Sequence, residues 1–107
     1  MGSNTFFLSA DAKADLVKIR RYTIKKWSDA QWQLYKSSLF NTFQNLAANP
    51  SIGMKIEEEW AKTNTFRFPL KDYIIYYLHR ENGIVIVGVL ATSIAPEKHQ
   101  HRVKSPT

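Results

Sequence analysis

From Leu8 to Gly53 the apolar positions repeat with a helical period that is interrupted once and then closed. Ala12, Leu16, Ile19, Thr23 and Trp27 recur every three or four residues, as the residues of one helix face do, and the opposite face is basic. Ser28 with Gln31 three positions on reads as a capping box, so the first helix stops near Trp27 and a second starts almost immediately. Trp32, Tyr35, Leu39, Phe43 and Leu46 form the second stripe, which Asn49-Pro50 ends. A join this short makes the two helices antiparallel, stripe against stripe, with one shared edge left to cover another layer. Trp27 and Trp32 flank the join and are expected to lock the end of the hairpin by packing.

Further along, the period shortens to two. Thr65-Phe66-Arg67-Phe68 opens the first of three runs with strand character. In the second, Asp72 to His79, Tyr73, Ile75 and Tyr77 alternate with Ile74, Tyr76 and Leu78, so both faces of that strand are expected to be covered. Asn82-Gly83 suits the positive backbone angles of a type I′ turn and leads into Ile84 to Leu90, rich in β-branched residues. Gly88 inside that run reads as a bulge or a close backbone approach. A short first strand at Thr5 to Leu8 completes the order β-α-α-β-β-β, an α+β fold with the helical hairpin packed on one face of a small, mostly antiparallel sheet.

A chain of 107 residues predicts one domain, here 1–99, with 100–107 as a polar, basic and mobile tail. The absence of cysteine excludes disulfides and thiolate metal sites and fits a reducing cytoplasm. The longest apolar run, Ile84 to Ala91, is far below the roughly 20 residues a membrane helix needs, and Met1 to Ala10 lacks the build of a secretory signal. His99-x-His101 has no third ligand beside it, so neither a metal nor another cofactor is expected. The net charge of +6 is unevenly placed. Lys18, Arg20, Arg21, Lys25 and Lys26 crowd the end of the first helix, while Glu57 to Glu59 form an acidic block. The basic run is either a solvated face set favourably near a helix C-terminus or a contact for an acidic partner.

The landmarks of the first half, taken in order, carry a family resemblance: Leu8-Ser9, Ala12, Asp15-Leu16, Ile19, Tyr22-Thr23, Trp27, Gln31, Tyr35, Leu39, Phe43, Leu46-Ala47, Pro50 and Gly53. With this spacing the chain resembles a ParE-type toxin of the ParE/RelE superfamily. Arg67, Tyr73-x-Ile75-x-Tyr77, Ile84-x-Ile86, Val89-Leu90, Pro96 and His99 resemble the sheet half of the same pattern. The resemblance implies a toxin of a bacterial toxin–antitoxin module that acts in the cytoplasm, poisons DNA gyrase and so blocks replication, and is not itself an enzyme. It also implies neutralisation by a cognate acidic antitoxin in a hetero-oligomer, with operator DNA bound by the antitoxin and no sequence-specific nucleic-acid contact by the toxin alone. Many family members carry an arginine before the Val-Leu pair and a histidine after it, where this chain has Gly88 and Ala91.

The same fold serves RelE-like relatives that cleave messenger RNA on the ribosome, so the fold cannot choose between the two activities. Cleavage through the 2′-hydroxyl needs a base, an acid and cations converging on one phosphate. Arg67 could hold a phosphate, but Val87 to Ala91 supplies no cation, acid or base, and the tail offers Lys98, His99 and His101 without a tyrosine. The RNase and an inactive homologue kept for antitoxin binding are the alternatives to gyrase poisoning. Arg67 lies between Phe66 and Phe68, so it occupies the open sheet face if those rings face the helices. Target contacts are expected at Arg67, Tyr73, Tyr77, Lys98 and His99; antitoxin contacts at Trp60, Arg67, Ile75, Tyr77, Arg20 and Arg21.

Overall fold

In the computed structural model residues 5–57 and 64–92 are described. The elements run β1 (Thr5–Leu8), α1 (Ala10–Lys26), α2 (Asp29–Ala48), a 3-10 turn (Pro50–Ile52), β2 (Met54–Lys55), β3 (Thr65–Leu70), β4 (Tyr73–Arg80) and β5 (Gly83–Ala91). The strands form one sheet in the order β1-β5-β4-β3-β2, antiparallel except for the parallel pair β1 and β5. The predicted order is therefore observed with one addition, the two-residue β2, which is too short to show any periodicity in the sequence.

Both helices start where a serine hydroxyl replaces a missing intrahelical acceptor. Ser9 Oγ accepts from the Ala12 N–H at 3.1 Å, and Ser28 Oγ accepts from the Gln31 N–H at 3.0 Å. Lys25 and Lys26 occupy the last turn of α1, where positive charge meets the negative end of the helix dipole. Trp32, Leu39, Phe43 and Leu46 of α2 and Ala12 and Ile19 of α1 close over Ile75, Tyr77, Ile84, Ile86 and Val89 of the sheet to make the main core. Three positions depart from the stripes. Asp15, not Leu16, is the fully buried residue of its turn, Tyr35 is only half-buried, and Trp27 is 67% exposed while Trp32 is 5% exposed. Trp32 alone packs the hairpin end. Trp27, the C-cap of α1, projects beyond the edge of the layer it was expected to seal.

The β4–β5 hairpin forms as its turn dipeptide predicts, with a different assignment of roles. Arg80 pairs with Gly83, so Glu81 and Asn82 are the loop residues and Gly83 opens β5 with a φ of 141°. Glycine is needed there for two reasons: that angle is closed to most side chains, and a Cβ would run into the Thr5 backbone of β1. The predicted irregularity at Gly88 is also present. Tyr76 pairs with Gly88 but Tyr77 with Ile86, leaving Val87 as the extra residue of a bulge. The bulge resets the alternation of β5. Ile84 and Ile86 face the helices before it and Val89 faces them after it, while Val85, Val87 and Leu90 share the other face with Ile74, Tyr76 and Leu78.

Gly53 is required by a close approach rather than by its backbone angle. A Cβ there would collide with the Tyr77 hydroxyl and lie 2.9 Å from the Arg67 carbonyl oxygen. Gly53→Ala is expected to cost about 1–3 kcal/mol, as overpacking does, measured as a lower urea midpoint at unchanged slope. A loss below about 0.5 kcal/mol, the range of neutral surface changes, would show that the Tyr77 latch can move aside freely.

Candidate functional site

Strand alternation places Arg67 as expected. Phe66 and Phe68 pack against the helix-side core, and Arg67 is exposed on the opposite face, in register with Tyr76 of β4 and Met54 of β2. Its Nη2 lies 3.6 Å from Met54 Sδ, a soft contact that leaves the guanidinium presented to solvent. Around it the open face is apolar: Tyr76, Ile56 and Val87 are buried together there, and Met54 is 61% exposed. On the β1 edge Phe7, which pairs with Val85, is exposed on the same face.

Tyr73, Ile75 and Tyr77 share one face of β4, as read from their alternation, and that face is the helix-facing one, but they do not make one surface. Ile75 and Tyr77 are fully enclosed. The Tyr77 hydroxyl donates to the Pro50 carbonyl at 2.6 Å and accepts from the Gly53 N–H at 3.0 Å, and its ring stacks on Phe66 at 5.5 Å and 13°. Burial raises the Tyr77 phenol above its ordinary pKa, opposed by the Gly53 hydrogen bond. The expectation of a target or antitoxin contact at Tyr77, or an antitoxin contact at Ile75, meets side chains with no exposed surface; both are core residues, and Tyr77 is a latch between β4 and the α2–β2 connection.

Tyr73 is the one of the three that reaches a surface feature. At the end of the hairpin where α1 gives way to α2, the β3–β4 turn leaves a cleft of about 130 Å³ against the helices. Tyr22 and Trp27 of α1, Tyr35 of α2, Tyr73 of β4 and the turn residues Lys71 and Asp72 line it. The Tyr35 and Tyr73 rings lie 5.7 Å apart. Lys26 Nζ donates to the Tyr22 hydroxyl at 3.0 Å and sits 5.4 Å from the Tyr22 ring and 5.8 Å from the Trp27 ring. The hydrogen bond to Tyr22 raises the Lys26 pKa, so the ammonium stays charged. Desolvation raises Tyr35 and Tyr73 as well, with Tyr73 and Asp72 adding to the first and Tyr22 and Asp72 to the second, which keeps both phenols neutral donors. The Tyr35 hydroxyl is buried without a hydrogen-bond partner among the described residues.

Arg20 and Arg21 are exposed on α1, in the basic stretch that ends at this cleft, whereas Arg67 lies on the far face of the sheet. The expected contact residues therefore fall on two surfaces instead of one. Trp60, Lys98 and His99 lie outside the described residues, as do Glu58, Glu59, His101 and the 100–107 tail. Sequence reading gave Asp15 no role beyond that of a family landmark; it is 3% exposed and accepts from the Val89 N–H at 3.0 Å. Its signal was available: Asp15 stands three residues after Ala12 and four before Ile19, a carboxylate on the buried stripe.

Among the described residues no helix is long and apolar enough to cross a membrane, and no group of three or more His, Cys, Asp and Glu side chains could hold a metal ion. Residues 6–96 match the family model described as the ParE toxin of the type II toxin–antitoxin system parDE. A chain from a solved structure of the chromosomal ParDE toxin–antitoxin system of P. aeruginosa aligns with a TM-score of 0.69 over 85% of this chain and 98% of its own, at 12% identity. That likeness is one of fold. No curated protein matches the sequence.

Proposed function

The chain belongs to the ParE toxin family of type II toxin–antitoxin systems, and from that premise we propose that it is a cytoplasmic, non-enzymatic poison of DNA gyrase held inactive by an acidic antitoxin. The observation that carries the reading is the family match across residues 6–96, which spans both the helical hairpin and the sheet. The character of the open face supports it. Arg67 there is surrounded by Tyr76, Ile56 and Val87, an apolar setting suited to covering by protein. The nearest phenol, Tyr76, is 3% exposed, so it does not offer the accessible acid or base that RNA cleavage beside Arg67 would need. The basic run on α1 suits an antitoxin segment that is acidic and folds as it binds.

Antitoxin-free protein, added to gyrase with supercoiled plasmid and ATP, is expected to yield linear DNA after detergent and protease, and added antitoxin is expected to suppress it. Supercoiling that proceeds without trapped cleavage, at toxin in molar excess over gyrase, would overturn the reading. Arg67→Ala, at an exposed position, is expected to reduce the linear product while leaving Tm within about 2 °C, the range of a neutral surface change.

A further inference from the structure

The aromatic cleft at the α1–α2 join is oddly built for a surface left to water. Tyr22 is 54% and Trp27 67% exposed, two large rings at its rim that both stand near Lys26 Nζ, whereas Ile19 and Thr23 of the same helix are buried. The Tyr35 ring lines its wall, and the Tyr35 hydroxyl is buried behind that wall. The volume of about 130 Å³ is close to that of a cavity known to hold one benzene, of roughly 150 Å³, so the cleft has room for one side chain and not for a helix. Its mouth is positive on balance: Lys26 and Lys71 stand against Asp72, and the exposed Arg21 and Lys25 extend the basic surface along α1.

We propose that this cleft is the socket in which the acidic antitoxin seats one anchoring apolar side chain between Tyr22, Trp27 and Tyr73, with flanking carboxylates on Lys26 and Lys71. The inference rests on the toxin reading above and names its principal docking point. An inserted residue would cover the two exposed rings. Fully desolvated aromatic pockets of this kind are where binding energy concentrates, whereas the surrounding lysines act on the rate of encounter and its salt dependence.

The test uses the protein encoded by the reading frame adjoining this chain's gene, titrated calorimetrically into purified toxin. Trp27→Ala is expected to weaken binding about 30-fold or more, the effect of losing a hot-spot anchor. Charge reversal by Lys26→Glu with Lys71→Glu, neither of which is buried, is expected to slow association and flatten its salt dependence. If wild-type toxin binds the neighbouring protein and Trp27→Ala binds within twofold of it, the socket is overturned and the toxin reading stands. If wild-type toxin does not bind at all, the antitoxin reading itself fails. If Trp27→Ala keeps its antitoxin affinity but loses trapped gyrase cleavage, the cleft serves the target and the inference is likewise overturned.

Discussion

Tyr77→Ala is expected to leave no folded toxin at 37 °C, and Tyr77→Phe to leave a folded one weakened by about 1–3 kcal/mol. The ring is fully buried and stacked on Phe66, so its truncation alone costs about 3–5 kcal/mol, as for other buried aromatics. Truncation also strands the two backbone groups the hydroxyl serves, the Pro50 carbonyl and the Gly53 N–H. Together these losses reach the lower end of the whole stability of a small domain, about 5–15 kcal/mol. Phenylalanine restores the packing and removes only the latch. Urea denaturation of Tyr77→Phe, read beside the yield of soluble Tyr77→Ala, separates the two contributions; equal and small losses in both would mean that the ring is not the core residue described above. The pair also guards against a misreading. Loss of toxicity in Tyr77→Ala would follow from unfolding and would say nothing about gyrase.

How far the sequence could be read depended on how each feature is encoded. Periodicity is written along one element, so the two helices, the three long strands and the sharing of one face of β4 by Tyr73, Ile75 and Tyr77 were all legible, while which layer that face meets was not. Gly88 in a β-branched run marked either a bulge or a close backbone approach, and the bulge is present with Val87 beside it as the extra residue. What periodicity lacks is the extent of the neighbouring layer. Trp27 continues the α1 stripe by count, yet it lies at the C-cap, past the part of the helix that the sheet supports, so the same spacing that buries Ile19 leaves Trp27 in solvent. The turn at Asn82-Gly83 shows a second limit. Its glycine answers not only to its hairpin but to β1, a strand nearly eighty residues earlier, whose backbone passes where a Cβ would stand. The candidate site was the least legible for the same reason. The cleft joins the end of α1, the second turn of α2 and the β3–β4 turn, three segments whose meeting no local pattern records. Tyr77 was read as a contact residue because a tyrosine in a strand is written identically whether its hydroxyl meets a partner or the chain's own Pro50.

Asp15→Ala is expected to destabilise the fold by about 1.5–3 kcal/mol, the range for hydrogen bonds to charged groups, and to lower Tm by about 6–24 °C, taking 4–8 °C per kcal/mol for a chain of this size. The reason lies in the uneven lengths of β1 and β5. The parallel pairing of β1 ends at Leu8 with Ile86, while β5 runs on to Ala91. Beyond Ile86 the β1-side edge of β5 has lost its strand neighbour, and the bulge at Val87 and Gly88 turns Val89 back into the core. A buried N–H at that point must find an acceptor, and the α1 backbone around Asp15 cannot serve, since the carbonyls of those turns are engaged within the helix. The Asp15 carboxylate takes the place of the missing strand, tying the second turn of α1 to the far end of β5. Alanine removes the acceptor and leaves the amide buried without water. Asparagine keeps an oxygen in the same position, so Asp15→Asn is expected to cost less than about 1 kcal/mol, the value of a neutral hydrogen bond that survives. Amide exchange gives the local readout: Val89 N–H should lose protection in Asp15→Ala relative to the rest of β5 and keep it in Asp15→Asn. Equal exchange at Val89 in wild type and Asp15→Ala would refute the strand-substitute role. The same bond explains why a carboxylate belongs on an otherwise apolar stripe. Its buried partner is a backbone donor that a hydrophobic residue would leave unanswered, so the apolar pattern of α1 is interrupted where the sheet runs out of strands.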